Sequence, residues 1–242
     1  MSRDNLILNR GTKSVVAEAY RVLRTNIMFS SIDKKITSIA VTSSGPGEGK
    51  SITVSNFAIA LAQAGSRVLI VDADLRKPRI HKIFNISNSV GLTNIIVQNL
   101  DWKTRVQTTE VKNLGIITSG PIPPNPSEIC GSEKMKSLIN AFKEEFDYVI
   151  IDTPPAGVVT DGALVGAYTD GIILVVASGD VEIEAAKRAK GLLDNVKANI
   201  LGVVLNKIPA NDNGYYKYYY YTYYHEDNSS KKEKKRKKKV TV

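Results

Sequence analysis

The sequence predicts a doubly wound α/β fold, in which helices cover both faces of a mostly parallel β-sheet. Three observations predict it: apolar strand-like segments alternate with helix-like segments, a glycine-rich motif follows the first strand, and aspartates end two later strands. Continuous apolar runs are typical of parallel strands buried on both faces. The predicted strands are Ile36–Thr42, Val68–Val71, Leu114–Thr118, Tyr148–Ile151, Ile172–Val176 and Ile200–Leu205.

Helix-like spacing fills most of the intervals between these strands. An amphipathic helix is predicted before the first strand, and the proline-rich segment Pro121–Pro126 indicates a stiff loop between a strand and a helix. The alternation stops after Ala210, so we expect one folded domain over residues 1–210 and a flexible tail over residues 211–242. The predicted helices are Ser14–Phe29, Ser51–Ala64, Ser132–Glu145 and Glu182–Val196.

The positive charge of the chain is concentrated near its end. The net charge is +9, and residues 231–239, with eight bases and one acid, contribute +7 of it. The rest is nearly neutral, so composition does not predict a basic nucleic-acid-binding surface. The basic tract itself could be a solvated end, a contact with a membrane surface or a site for anions.

Other features of the composition exclude several classes of protein. The apolar runs are far shorter than the roughly 20 residues of a membrane-spanning helix, and the first residues lack a secretory signal. One cysteine, Cys130, and two histidines do not form a disulfide or zinc framework. We therefore expect the folded body to remain in the cytoplasm.

The glycine-rich segment Ser43–Ser51 lies between a predicted strand and a predicted helix, as a phosphate-binding P-loop requires. Glycines let backbone N–H groups converge on phosphates, Lys50 reaches the β- and γ-phosphates, and the Ser51 hydroxyl suits Mg²⁺. Ser44 replaces the usual first glycine of the motif. The candidate nucleotide-binding residues are Ser44, Gly45, Pro46, Gly47, Glu48, Gly49, Lys50, Ser51 and Ile52.

Two acidic motifs end strands on the side of a parallel sheet where ligands bind. Asp72, Asp74 and Arg76 follow one strand, and Asp152 ends another in a Walker B run. An isolated aspartate at such a position more often caps a turn. Beside a P-loop, however, these carboxylates indicate a site for a cation.

These motifs, with the tyrosines near the C-terminus, resemble those of the bacterial tyrosine kinases of capsular and exopolysaccharide assembly, in the same order along the chain. The resemblance implies ATP and Mg²⁺ as cofactors and transfer of the γ-phosphate to tyrosine. It implies Asp72 as the base that accepts the phenolic proton, although Asp74 remains an alternative. By the same resemblance Lys50 stabilises the transferred phosphoryl group, and Arg76 either assists or anchors its loop. The implied metal-binding residues are Ser51, Asp74 and Asp152, and Asn206 either contacts adenine or caps a turn.

The nearest alternative is a switch ATPase of the MinD and ParA class, which shares the sheet, the P-loop and the aspartates. Those proteins carry a second P-loop lysine at the position of Gly45. The tyrosine-rich C-terminus also lacks the periodic apolar face of a membrane-binding helix. Both features favour the kinase.

Eight of the ten residues from Tyr215 to Tyr224 are tyrosine. An aromatic strand or a base-stacking surface is possible for such a run, but neither is as consistent with the P-loop as a phosphoacceptor segment. We therefore expect acceptor tyrosines and no nucleic-acid partner. The expected acceptors are Tyr215, Tyr216, Tyr218, Tyr219, Tyr220, Tyr221, Tyr223 and Tyr224.

Glu18, Arg21 and Arg24 share one face of the first predicted helix and could form an exposed salt bridge. They also resemble the subunit-contact motif of the same kinase family, which implies a homo-oligomeric ring. The resemblance further implies a membrane adaptor protein of the polysaccharide co-polymerase type and a cognate tyrosine phosphatase. It places the kinase in the cytoplasm, where the adaptor recruits it to the inner face of the cell membrane.

Overall fold

A mostly parallel sheet forms the centre of the computed structural model, which describes residues 6–7, 14–30 and 35–208. Its strands are β1 (Ser38–Ser43), β2 (Val68–Asp72), β3 (Gln107–Thr108), β4 (Leu114–Ile117), β5 (Tyr148–Asp152), β6 (Gly171–Ala177) and β7 (Ile200–Asn206). They lie in the order β3-β4-β2-β5-β1-β6-β7. Every neighbouring pair is parallel except β3 and β4. The predicted fold class is confirmed.

Helices cover both faces of this sheet. The four long helices and six of the strands were predicted, with shifts of a few residues at their ends. The sequence did not predict β3 or the short helices, because two to seven residues carry too little periodicity. The helices are α1 (Val15–Ser30), α2 (Lys50–Gln63), α3 (Ile80–Phe84), α4 (Leu92–Gln98), α5 (Pro126–Gly131), α6 (Glu133–Glu145), α7 (Asp161–Gly166) and α8 (Ile183–Asn195).

Two apolar cores lie on opposite faces of the sheet. In β2, Val68 belongs to the core that contains Phe57 of α2, whereas the next residue, Leu69, belongs to the core that contains Phe142 of α6. All residues of this strand are buried. Both faces of the strand therefore need apolar side chains, which explains why its sequence does not alternate.

Helix α2 is buried on most of its surface because α1 lies over it. Ala17 and Ile27 of α1 are buried in the core that also contains α2. The Arg24 guanidinium adds a hydrogen bond from Nη1 to the Ala60 carbonyl of α2, at 3.3 Å. The first helix thus packs on α2, the helix that begins at the P-loop, and shields it from solvent.

The carboxyl ends of the central strands bring the candidate site residues to one edge of the sheet. Asp72 and Asp152 are directly paired between β2 and β5, and Val41 of β1 is paired with Asp152 from the other side. A hydrophobic pattern that fixes strand register therefore also fixes the separation of these carboxylates.

The compact unit that contains the sheet ends at Asn206. The tyrosine cluster and the basic tract lie outside the described residues, so the division into residues 1–210 and 211–242 stays a prediction. Among the residues that the structure describes, no helix has both the length and the apolarity needed to cross a membrane.

Substitution of Phe142 by alanine tests the core beneath α6. The ring is fully buried and meets Trp102 edge-on, with centroids 4.9 Å apart. We expect the free energy of unfolding to fall by about 3–5 kcal/mol, because a cavity replaces the ring. Urea denaturation measures this loss. Val97→Ala is the control, since that side chain is exposed on α4, and an equally small loss in both variants would contradict the assigned packing.

Candidate active site

The P-loop connects β1 to α2 through residues 44–49. Gly47 and Gly49 adopt positive φ angles of 82° and 88°, which favour glycine because other residues would be strained there. The Gly49 carbonyl accepts the first-turn hydrogen bond from the Thr53 N–H at 2.9 Å. These glycines allow the loop to turn sharply into the amino end of a helix, where backbone N–H groups bind phosphate.

The Glu48 side chain supports the loop from beneath. It is buried, and its Oε1 accepts hydrogen bonds from the Ser44 hydroxyl at 2.6 Å and from the Gly45 N–H. Its Oε2 accepts the Ala177 N–H at the end of β6, at 3.0 Å. The predicted nucleotide-binding segment therefore contains a carboxylate that holds the loop, in addition to backbone groups that can bind phosphates.

Lys50 is the centre of a buried charge cluster. Its Nζ lies 2.5 Å from Asp152 Oδ1 and 3.5 Å from both Asp74 Oδ2 and the Ser51 hydroxyl. Burial alone would lower the pKa of Lys50, but the charges of Asp152 and Asp74 outweigh it and the pKa is raised. The lysine is therefore held as a cation at the start of α2.

Asp72 lies beside this cluster and is fully buried. Its Oδ2 accepts the Ile80 N–H at 3.1 Å, while Oδ1 has no hydrogen-bond partner among the described residues. Burial and then the negative charge of Asp152 raise its pKa well above that of an ordinary aspartate. Asp74 is held by the Lys77 N–H, which donates to its Oδ1 at 3.0 Å.

The donor set at this edge suits a magnesium ion. Asp152 Oδ2, like Asp72 Oδ1, is buried without a partner among the described residues, and such oxygens normally find a donor or a cation. Those residues contain no cluster of three or more acidic, histidine or cysteine side chains arranged as a complete metal cage. Mg²⁺ does not need one, because phosphate oxygens and water complete its octahedron around one or two carboxylates.

Arg76 is fixed by residues that the sequence did not single out. Its Nε and Nη2 donate to the two carboxylate oxygens of Asp161 at 2.8 and 3.2 Å. Ser127 accepts a hydrogen bond from Arg76 Nη2 at 2.9 Å and donates one to Asp161 at 2.6 Å. Asp161 is fully buried, and these contacts outweigh the effect of burial and lower its pKa. The geometry supports the anchoring role of Arg76.

The segment after β5 and the end of β7 both contact the P-loop. The Thr42 hydroxyl donates to the Pro154 carbonyl and accepts the Ala156 N–H. At Gly157, an added Cβ would lie 2.2 Å from the Ser44 carbonyl oxygen. The Asn206 side chain donates from Nδ2 to the Glu48 carbonyl at 2.8 Å, so the structure places this predicted adenine contact against the loop.

Of the three predicted subunit-contact residues, Glu18 and Arg21 contact each other, whereas Arg24 contacts α2. Glu18 Oε2 and Arg21 Nη1 form an ion pair at 2.7 Å with both side chains more than one third exposed. Arg24 instead points towards α2, where it bonds to Ala60 and its Nε is buried. Arg24 thus contributes to the packing of α1 on its own domain, and its role in a subunit contact stays a prediction.

The fold and this site define a P-loop nucleoside triphosphatase. A profile of the ParA family, described as a NUBPL iron-transfer P-loop NTPase, matches residues 34–235. The tyrosine-protein kinase YwqD of Bacillus subtilis is 43% identical over 88% of this chain and 90% of its own length. The tyrosine-protein kinase CpsD of Streptococcus agalactiae is 37% identical over 83% of this chain and 87% of its own length.

A solved structure gives the same result at the level of the fold. The crystal structure of the chimerical protein CapA2B2 has a TM-score of 0.81 and 41% identity, covering 85% of this chain and 91% of that one. The chain belongs to the family of bacterial tyrosine-protein kinases. The resemblance inferred from the motifs is confirmed, and the fold and family imply that the site binds a nucleotide with a metal ion.

Substitution of Gly157 by alanine tests the contact between the segment after β5 and the P-loop. The added Cβ cannot coexist with the Ser44 carbonyl oxygen, so we expect the loop to shift and nucleotide affinity to fall about tenfold. Titration with a fluorescent nucleotide measures this change. Gly191→Ala on α8 has open space at its Cβ position and should retain affinity. Unchanged binding by Gly157→Ala would remove this contact from the nucleotide site.

Proposed function

We propose that this kinase binds ATP with Mg²⁺ and transfers the γ-phosphate to tyrosines of its C-terminal cluster. The observation that carries the proposal is the buried Lys50 ammonium, which pairs with Asp152 and Asp74, in the same buried group as Asp72, whose Oδ1 has no partner among the described residues. This arrangement combines a cation for the phosphates, carboxylates for a metal ion and a free acceptor for a proton. A phosphoryl transfer to a hydroxyl needs all three.

The nucleotide would bind along the P-loop. The N–H groups of residues 47–52 and the Lys50 ammonium would contact the β- and γ-phosphates. In doing so the phosphates would replace part of the contact that Lys50 now makes with the aspartates. The Asn206 side chain supports the loop through Nδ2, and its carbonyl oxygen contacts the adenine. Ser51, Asp74 and Asp152 would hold the metal ion, which would supply positive charge to neutralise the phosphates, while the P-loop would orient them.

The transfer follows from the position of Asp72. A tyrosine hydroxyl, with an ordinary pKa near 10, needs a proton acceptor at neutral pH. Its oxygen attacks the γ-phosphorus, its proton moves to Asp72 Oδ1, and the bond to the β–γ bridging oxygen breaks to release ADP. Lys50 stabilises the transferred phosphoryl group. Arg76, held by Asp161 and Ser127, keeps the loop after Asp74 in place.

The alternative function, a MinD- or ParA-type switch that only hydrolyses ATP, is less well supported by the P-loop. The second lysine of those ATPases would occupy position 45, where this chain has glycine. The Gly45 N–H is bound by the buried Glu48 carboxylate, which occupies the space beside that position. The loop is thus built around an internal carboxylate and carries a single lysine.

We further propose that the chain forms a homo-oligomeric ring in which one subunit modifies the tail of its neighbour. The outward face of α1 supports this, because Val15, Val22 and Phe29 recur every seven residues and are 47%, 51% and 66% exposed. Beside them lies the ion pair of Glu18 and Arg21. An apolar stripe of this kind on a helix is typical of an interface.

The cellular setting is proposed from the similarity to the capsule and exopolysaccharide kinases. A membrane adaptor of the polysaccharide co-polymerase type recruits the cytoplasmic kinase to the inner face of the membrane, and a cognate phosphatase reverses the modification. Cycles of phosphorylation then regulate polysaccharide synthesis and export. The acceptor residues in this scheme are the eight tyrosines of residues 215–224.

Incubation of the full-length chain with γ-labelled ATP tests the proposed transfer. We expect label on protein tyrosine in the wild type, none in Lys50→Met, and a fall of about 100-fold or more in Asp72→Asn, because an amide cannot accept the phenolic proton. Nucleotide binding by Asp72→Asn should persist. Free phosphate without labelled tyrosine would favour the switch ATPase. Normal transfer by Asp72→Asn combined with an inactive Asp74→Asn would move the base to Asp74.

Light scattering tests the proposed interface on α1. We expect Val22→Asp, and separately Glu18→Ala with Arg21→Ala, to give a smaller folded species, because both changes alter the outward face of α1. Arg24→Ala is the informative comparison. Its side chain forms a hydrogen bond to α2, so we expect this change to lower the thermal midpoint of unfolding and to leave the number of subunits largely unchanged. Equal masses for the wild type and the first two variants would eliminate α1 as the contact.

A further inference from the structure

Three exposed bases follow the aspartates of the active site. Lys77, Arg79 and Lys82 all lie on the surface, on the turn and short helix that hold the two carboxylates. The Lys77 N–H donates to Asp74 Oδ1 at 3.0 Å, and the Ile80 N–H donates to Asp72 Oδ2 at 3.1 Å. The backbone of this segment therefore contacts the catalytic edge, while its basic side chains face solvent.

These three charges are not neutralised by the protein. Within the described part of the chain, none of the three has a carboxylate oxygen within 4.0 Å. Some exposed bases elsewhere are paired, as Lys103 is with Glu145 at 2.5 Å and Lys187 is with Glu184 at 2.9 Å. An uncompensated cluster of like charges beside a site is a ready site for an anion.

The positive charges of this segment also affect the pKa of the neighbouring His81. Burial lowers the pKa of His81, and the charges of Lys82 and Arg79 lower it further. Arg76 differs from the three bases because Asp161 neutralises it. The uncompensated charge thus begins at Lys77, immediately beyond the anchored arginine.

We propose that Lys77, Arg79 and Lys82 form an anion subsite that binds a phosphotyrosine of the acceptor segment while a nearby unmodified tyrosine reaches Asp72. The proposal rests on the proposed function, since it takes the tyrosine cluster as the acceptor. A phosphotyrosine carries about −1.5 to −2 charges and three acceptor oxygens, which arginine and lysine bind well. Tyrosines two positions apart in an extended chain are separated by about 7 Å, so one can occupy the subsite while another reacts.

This subsite gives the tyrosine cluster a physical purpose. Six of the eight tyrosines have another tyrosine two positions away, so most acceptors can gain a phosphorylated neighbour at the spacing that the subsite needs. Each completed transfer then strengthens binding of the same segment, and phosphates accumulate on chains that already carry one. The attraction is between exposed charges, so it weakens as salt is raised.

Binding of labelled peptides to the full-length, dephosphorylated chain tests the subsite without requiring transfer. The probe is the peptide of residues 214–225, which contains no acidic residue, either unmodified or phosphorylated at Tyr220. By fluorescence anisotropy at low salt we expect the phosphopeptide to bind at least about fivefold more tightly, a difference that several exposed ion pairs can supply. The triple variant Lys77→Ala, Arg79→Ala, Lys82→Ala should bind both peptides equally.

A variant with the same loss of charge is the control. Lys103→Ala, Lys187→Ala and Lys190→Ala together remove three exposed bases elsewhere and should leave the preference intact. Equal binding of both peptides by the wild type, or an unchanged preference in the Lys77 triple variant, would overturn the subsite. The subsite would also be overturned if the Lys77 triple variant lost as much affinity for ATP as for the phosphopeptide, because the bases would then bind the nucleotide. A retained preference in a chain that labels no tyrosine would reject the proposed function and support the subsite.

Discussion

The contact between Lys50 and the carboxylates of Asp152 and Asp74 is the interaction on which the rest of the site depends. All three side chains are buried, and a buried charge is costly unless it is paired. The cluster therefore requires β1, β2 and β5 to end at the same level, with α2 beginning directly above them. Parallel pairing provides this, because Asp72 and Asp152 are register partners. Strand register and electrostatics thus define one geometry.

Much of the surrounding structure keeps this cluster rigid without taking part in chemistry. Glu48 supports the P-loop from the end of β6, and Asp161 with Ser127 fixes the loop that carries Arg76. Gly157 allows the segment after β5 to approach the loop closely. Preorganised donors of this kind lower the cost of arranging charge during phosphoryl transfer, because they need not reorient. The geometry of the site therefore depends on these supporting residues as well as on the residues of the P-loop.

The sequence predicted the sheet well because strands buried on both faces leave continuous apolar runs. It also predicted where Lys50, Asp72 and Asp152 meet, since carboxyl ends of parallel strands share an edge. It could not predict Asp161 or Ser127, which reach Arg76 from positions 85 and 51 residues away in the chain. Arg24 shows a second limit. Helical spacing gives the direction of a side chain only relative to its own helix, so it could not predict the hydrogen bond to Ala60 of α2. The role of Arg24 in a subunit contact stays a prediction.

The charge distribution around the site is compatible with the proposed transfer to a segment that becomes anionic. Asp72, Asp74 and Asp152 are buried, and the positive charge of Lys50 offsets part of their negative charge. Beyond the paired Arg76, the exposed charges that follow β2 are instead the bases Lys77 and Arg79. Within a few residues of one turn, the acids are thus buried and the bases are exposed, so the two groups can have different electrostatic roles. In the proposed mechanism the buried group provides the proton acceptor, and in the proposed subsite the exposed group attracts a substrate whose negative charge increases with every transfer.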